Sequence, residues 1–422
     1  MAPEIAALFE LAPRYLDRQE WLAQTVANDA PAAIELISGE ILREGPPGLA
    51  RLVLGRGERR LQLLVGWRHA TELAGVLRNE DRALLGSVPD GDLTLIVYDA
   101  LADDELARVI LGIATDGREQ AHLVRPLATL VSHASLVFDE HLFMKCYRVL
   151  EHGPRPEVEV LFRLDEVGFN ALLAPIGRWR EGEFDLALVR EFLPSALEGR
   201  LLALTSLRDL LAHAARGEEA AGNFQALPQV EDADLAAASA GGDFSSEMVR
   251  LGETTAHLHL ALAEAFGTGE LGDGEGGLDV PGAALGPAIQ LHGDYHLRRV
   301  MRSETGWLVT GFGDDPLYAT EVVRPSLELR SGSCLEDVAD MMFALGRVTS
   351  EALAQRPDQE ASLAAALAAA WLRRNRGAFL RGYLRTQGIE ALLPGDAELR
   401  DRLLAGYEAV RERRYEATSS GV

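Results

Sequence analysis

Residues 290–315 read QLHGDYHLRRVMRSETGWLVTGFGDD, and both the fold and the chemistry of the chain turn on this stretch. It divides into a small polar loop, His292-Gly293-Asp294, a short strand over 297–301, a turn, and a second strand over 307–310. The turn Ser303-Glu304-Thr305-Gly306 ends in glycine between apolar β-formers, which predicts a hairpin. An Asp in an exposed loop just before a hairpin, with a second polar cluster just after it, is a phosphotransfer layout. The first carboxylate supplies a base for an acceptor hydroxyl, and the second cluster normally holds magnesium. Here the first half is intact in Asp294, whereas the second half, Gly311-Phe312-Gly313-Asp314-Asp315-Pro316, departs from the pattern.

A phosphotransfer layout needs a nucleotide site, and composition points to one. Of the 41 lysine and arginine residues in the chain, a single one, Lys145, is lysine. A compact ammonium with three donors is not interchangeable with a planar guanidinium where it must sit against phosphates in a tight site. Lys145 lies in Leu142-Phe143-Met144-Lys145-Cys146-Tyr147, the second arm of an expected hairpin that follows the small polar loop Ser132-His133-Ala134-Ser135. A helix is expected over 157–167 behind Pro156, with Glu159 on its early part. A helix carboxylate at that separation folds back onto a strand lysine and fixes the ammonium toward phosphates. The run 186–194, Leu-Ala-Leu-Val-Arg-Glu-Phe-Leu-Pro, reads as a strand that would pass beside an adenine, with Glu191 in it.

The wider chain supports a multidomain enzyme-like protein. At 422 residues and 47% hydrophobic content it holds two or three domains with sizeable cores, and no apolar run reaches the ~18 residues of a membrane span. The start, MAPEIAALFELAPRYLDRQEW, carries acids early and lacks a basic-then-apolar pattern, so no export signal is expected. Two cysteines in unrelated contexts, Cys146 and Cys334, fit a reducing, cytoplasmic setting. A formal charge of −24 argues against nucleic acid and anionic membrane as partners, though it leaves local basic pockets open.

In order, the chain predicts a helical start, β-leaning runs at 33–42, 50–54 and 60–67, a buried strand at 93–98 and a short helix at 104–113. Helices follow at 198–216 and 247–265, the latter containing His257 and His259. An i,i+2 pair on a helix faces two ways, so buried or capping imidazoles are expected rather than a metal site. The glycine-rich stretch 267–286 reads as flexible, and further helices are expected at 335–345, 349–356, 360–382 and 397–416.

On these residues the chain resembles the bacterial maltokinases and their sugar-kinase relatives, within the aminoglycoside-phosphotransferase-like branch of the protein-kinase-like fold. The likeness runs over most of the chain. It is carried by Pro13-Arg14-Tyr15-Leu16-Asp17-Arg18-Gln19-Glu20-Trp21, by Phe143-Met144-Lys145, by Pro156-Glu157-Val158-Glu159-Val160, by Leu251-Gly252-Glu253-Thr254-Thr255-Ala256-His257-Leu258-His259 and, most specifically, by His292-Gly293-Asp294-Tyr295-His296-Leu297. The resemblance implies an α+β, bilobal fold: an N-terminal cap over 1–95, a kinase-like lobe with the nucleotide lysine over 96–192, and a helical lobe with the His-Gly-Asp loop over 193–422. It implies ATP as nucleotide, held by Ser132, Ser135, Lys145, Glu159 and Glu191, and a small sugar as acceptor, with Asp294, His296 and Arg299 at the reacting centre.

The same resemblance marks two departures. The family places a Gln or Asn five residues after the loop Asp, and an Asp at the head of a D-F-E-G-E-P-like motif, to hold magnesium. Arg299 and Gly311 stand at those positions. Arginine has donors only and cannot ligate a metal. Loss of both ligands removes several kcal/mol of transition-state stabilisation and, with it, orders of magnitude in rate. Two readings stay open. One is a catalytically impaired, nucleotide-binding or substrate-sensing protein of the pseudokinase type, which leaves room for a protein partner. The other is an active sugar kinase acting on maltose or a related sugar or amino sugar, with Asp314 or Asp315 offering a shifted magnesium site.

Overall fold

Gly48–Arg56 (GLARLVLGR) and Arg59–His69 (RRLQLLVGWRH) are buried at odd and even positions alike, so strands made from them must be covered on both faces. The protein achieves this with a helix on each side. The structure is a computed structural model describing residues 2–25, 32–127, 133–221, 244–274, 277, 279–312, 330–354 and 361–419. By internal contacts the chain forms two compact units, 1–159 with 174–194, and 160–173 with 195–422.

In chain order the first unit contains β1 (Ile34–Arg43), β2 (Gly48–Arg56), β3 (Arg59–His69), β4 (Leu84–Asp90), β5 (Leu93–Asp99), β6 (Val124–Pro126), β7 (His133–Phe138), β8 (Leu142–Tyr147), β9 (Val149–Leu150), β10 (Pro175–Glu181) and β11 (Phe184–Glu191). One antiparallel sheet runs β1-β2-β3-β5-β4, with β9 added to β3, and a second runs β10-β11-β8-β7-β6. The helix Ile5–Leu16 packs Leu8, Ala12 and Tyr15 onto Ala50, Leu52, Leu54, Leu61, Leu63 and Val65. On the opposite face, Leu49 and Leu64 join Leu106, Ile110 and Leu111 of the helix Asp104–Ala114, in a cluster that also holds Met144, Ala187 and Val189 of the second sheet. Adjacent residues along β2 thus feed separate cores, as the period of a strand requires. The buried Gln62 side chain ties the sheets together by donating Nε2–H to the carbonyls of Tyr147 (2.9 Å) and Leu186 (3.1 Å).

The second unit is mainly helical, with Gly199–Ala221, Ser245–Phe266, Leu335–Ala354, Ala361–Arg385 and Ala397–Ser419 as its long elements. The helices Ser245–Phe266 and Ala361–Arg385 approach backbone to backbone at two glycines. A Cβ on Gly252 would lie 2.1 Å from the Phe379 carbonyl oxygen, and one on Gly382 would lie 2.0 Å from that of Val249.

Three expectations change. The stretch 297–301 is not wholly strand: Leu297–Arg299 is a 3-10 turn because His296 Nδ1 accepts from the Arg298 N–H (3.2 Å), and only Val300–Arg302 pairs with Trp307–Val309. The helices expected at 335–345 and 349–356 are one, Leu335–Ala354, since nothing between them breaks the backbone ladder. Within the glycine-rich 267–286 stretch, Thr268–Glu270 pairs with Pro287–Gln290, and the Asp273 carboxylate accepts from Gly282 N–H at 2.8 Å. Both cysteines are buried free thiols.

The two-glycine helix contact makes a clear prediction. Gly252→Val forces a side chain into the Phe379 backbone and should destabilise by about 1–3 kcal/mol or more. A urea melt should show a lower midpoint at unchanged slope.

Candidate functional site

Two charged centres stand out, one in each unit. In the first, β8 carries Lys145 between its register partners Ser135 of β7 and Leu188 of β11, in strands buried along their length. The lysine is itself only 1% exposed. Its Nζ donates to Glu157 Oε2 at 2.7 Å, and the Tyr147 hydroxyl donates to the same oxygen at 3.3 Å. Arg155 lies over the Tyr147 ring at 4.0 Å, and its backbone N–H donates to Asp185 (2.7 Å), which also receives a two-point ion pair from Arg180. Burial, followed by the charges of Lys145, Arg155 and Arg148, holds the His133 ring well below its usual pKa, hence neutral.

The carboxylate that meets the lysine is therefore Glu157, not the expected Glu159. On the helix Pro156–Glu166 two residues are about 200° apart, so only one of the pair can face Lys145. Glu157 shares its face with the buried Leu161 and Leu164, whereas Glu159 is half-buried and adds to the negative field around Arg180. The stripe at 157, 161 and 164 is legible in the sequence and singles out Glu157.

In the second unit the His292-Gly293-Asp294 loop hangs from one buried carboxylate. Asp337, on the first turn of Leu335–Ala354, accepts from His292 N–H (2.9 Å) and Gly293 N–H (3.0 Å) through separate oxygens. Gly293 has φ +83°, a backbone region that suits glycine. His259 Nε2 lies 3.4 Å from Asp337, and its Nδ1 bonds the Tyr383 hydroxyl at 2.8 Å. Burial would lower the His259 pKa, but Asp337 and the Cys334 thiol raise it to about 9. Burial likewise works against ionising Asp337, yet its close pairing with His259 keeps the carboxylate below its ordinary value. The His292 ring, pushed to about 4 mainly by burial, stays neutral and bonds the Thr310 carbonyl at 3.0 Å.

Asp294 is surrounded by two guanidinium groups and an imidazole. Arg299 Nη2 donates to its Oδ2 at 2.8 Å, His296 Nε2 lies 3.5 Å from the same oxygen, and Arg411 Nη2 reaches Oδ1 at 3.5 Å. Burial opposes ionisation here, but His296 and then Arg299 hold the Asp294 carboxyl well below the usual carboxylate range. Arg411, on Ala397–Ser419, also pairs through Nε with Asp340 Oδ1 at 3.1 Å. Burial raises Asp340 to about 7, with Arg411 opposing.

The magnesium that this layout implies does not fit the described residues. Arg299 offers donors only, its guanidinium already engages the Asp294 carboxylate, and Gly311 has no side chain. Among the described residues no group of three or more His, Cys, Asp or Glu side chains is arranged to hold a metal ion.

The other expected residues are placed as follows. Ser135 sits on β7 beside Lys145 in register, and Ser132, Asp314 and Asp315 lie outside the described residues. Glu191 ends β11, where its carboxylate and backbone N–H bond the N–H and C=O of Ala174 (3.2 and 2.9 Å). His296 caps the 297–299 turn and flanks Asp294. Asp337, Asp340 and Arg411 are the residues that sequence reading missed. Asp337 at a helix start carried a weak signal, but nothing local ties Arg411 to a loop 117 positions away.

Two comparisons bear on this arrangement. Residues 15–103 match the maltokinase N-terminal cap domain. Over 98% of its length the chain is similar to glucosamine kinase solved with glucosamine, ADP and inorganic phosphate, at 20% identity, TM-score 0.62 and 94% coverage of that chain. It is equally similar to a crystal form B of glucosamine kinase, at 21% identity and TM-score 0.63, with coverages of 98% and 94%. At this identity the likeness is one of fold.

The His259–Asp337 pair sets a pH dependence. With its folded pKa raised to about 9 from 6.5, His259 contributes stability fully present below pH 6.5 and lost as pH rises through 9. The melting-temperature gap between the native protein and His259→Gln should narrow across that window.

Proposed function

We propose that this chain, which carries a maltokinase N-terminal cap domain on the fold shared with glucosamine kinase, is a sugar-kinase-like protein that binds a nucleotide and a small sugar but transfers phosphoryl groups poorly. Lys145, buried and clamped by Glu157, is the nucleotide half: a fixed ammonium suited to phosphate oxygens. Asp294 is the acceptor half: an ionised carboxylate in a loop held rigid from below by Asp337. Support for a sugar acceptor comes from the cap domain and from the glucosamine kinase solved with sugar and nucleotide bound.

The observation that carries the impaired reading is the Arg299 guanidinium on Asp294 Oδ2 at 2.8 Å. A catalytic carboxylate must accept a hydroxyl proton from its substrate. Here two oxygens already receive charged donors from Arg299 and Arg411, which stabilises the anion and weakens it as a base. Each 1.36 kcal/mol lost from transition-state stabilisation lowers the rate about tenfold.

ATP should raise the melting temperature of the native protein, and ATP at 100 times its dissociation constant corresponds to about 2.7 kcal/mol. Lys145→Met should abolish that shift, Glu157→Gln should reduce it, and Glu159→Gln should leave it near native. Sugar-dependent ADP release should remain at background with maltose and with glucosamine. Robust sugar-dependent turnover that Asp314→Ala abolishes would overturn the impaired reading.

A further inference from the structure

Arg299 and Gly311 flank the two arms of the hairpin that follows the Asp294 loop, one just before the first arm and one just after the second, and they fit each other as key and seat. Gly311 is buried with φ +75°, and a Cβ placed on it would lie 2.7 Å from both Cδ and Nη1 of Arg299 and 3.2 Å from Cζ. Neither backbone is free to withdraw. The Arg299 N–H donates to the His296 carbonyl at 2.7 Å, and the Thr310 N–H donates to the Arg299 carbonyl at 2.8 Å. The next residue, Phe312, is buried with its ring 4.8 Å from that of His292, which fixes the far side. The arginine stem is therefore directed across the space that any side chain at 311 would enter. Its head group ends on Asp294 through Nε (3.3 Å) and Nη2 (2.8 Å), with the side chain only 12% exposed.

We infer that Arg299 is a built-in counter-cation for Asp294, seated by the absence of a side chain at 311, and that the protein consequently associates with nucleoside polyphosphates without a divalent metal. The second clause rests on the nucleotide reading above; the first stands on the hairpin geometry alone. A guanidinium tethered through its own backbone cannot exchange with solvent ions. A carboxylate held by it has no vacancy for a hydrated magnesium ion, which needs oxygen ligands and gives up its water reluctantly. The positive charge beside Asp294 is supplied by the chain itself. The disagreement between this loop and a magnesium site is thus a consequence of two residues acting together, rather than of either alone.

Two measurements test this. In a double-mutant cycle on the intact chain, Gly311→Ala should lower the melting temperature by several degrees in the native background. It should do so less with Arg299→Ala already present, because only the positive-φ strain then remains. Equal losses in both backgrounds would overturn the seat. In the second measurement, ATP affinity of the native protein in millimolar magnesium chloride and in excess EDTA should agree within about twofold. Magnesium chloride alone should not shift native melting, whereas it should raise that of Arg299→Gln, in which Asp294 loses its nearest cation. A magnesium-dependent native affinity, or a magnesium shift equal in the native protein and Arg299→Gln, would overturn the counter-cation. If Arg299→Gln fails to fold, the native comparison still decides. If ATP binds under neither condition, the nucleotide reading and the metal-free association fall together, while the double-mutant cycle still judges the seat by itself.

Discussion

A buried carboxylate, Asp337, holds the loop that gives the second unit its chemistry. Two successive backbone N–H groups, those of His292 and Gly293, point at its two oxygens. That pairing sets the direction in which the chain emerges at Asp294. A lone ionised carboxylate in such a place would be prohibitively unfavourable, since charge removed from water must be met by charge or hydrogen bonds. His259 meets it from the Ser245–Phe266 helix and is steadied in turn by Tyr383 of Ala361–Arg385. The two-glycine approach of those helices, Gly252 against Phe379 and Gly382 against Val249, brings Tyr383 within reach. Helix packing, a buried ion pair and loop geometry are here successive links of one chain of causes.

The two charged centres use the same chemistry to different ends. At Lys145 the carboxylate of Glu157 serves the cation: the ammonium is held still, and a strand on either side prevents it from swinging away. At Asp294 the cations serve the carboxylate, and they hold it in its ionised form. Fixing an ammonium prepares it for phosphate, because the ammonium retains its charge and its remaining donors. Pinning a carboxylate under guanidinium groups does the reverse for base catalysis, because each charged hydrogen bond it accepts lowers its affinity for a further proton.

Much of the fold was legible in local sequence. The both-faces-apolar runs of β2 and β3, the lysine-bearing hairpin, and the helices from Gly199 onward follow from periodicity and from Gly/Pro punctuation. What escaped was set by single side chains or by distance along the chain. His296 turned the start of an expected strand into a 3-10 turn by capping it, a choice that propensity does not register. Motif position points to Glu159, whereas the helical stripe through Leu161 and Leu164 points to Glu157. Arg411 reaches Asp294 and Asp340 from the Ala397–Ser419 helix, a contact that exists only once the helices are packed. His257 and His259 illustrate what periodicity does resolve: two positions apart, the first is exposed and the second buried against Asp337.

The positions 299 and 311 read in sequence as two independent departures, and in space they are one. Arginine is long enough to carry its charge from the 3-10 turn to Asp294 only by crossing the ground beside residue 311. Glycine there leaves that ground empty and also accepts the left-handed backbone that the chain adopts after Thr310. A carboxylate at 311 would have to displace the arginine stem, and an amide at 299 would leave Asp294 without its nearest cation. Exchanging one without the other leaves either a steric collision or a partly buried, less compensated anion. The alternatives available to this hairpin are therefore a mobile metal held by side chains at both positions, or a fixed guanidinium with no side chain opposite it. This chain has the second.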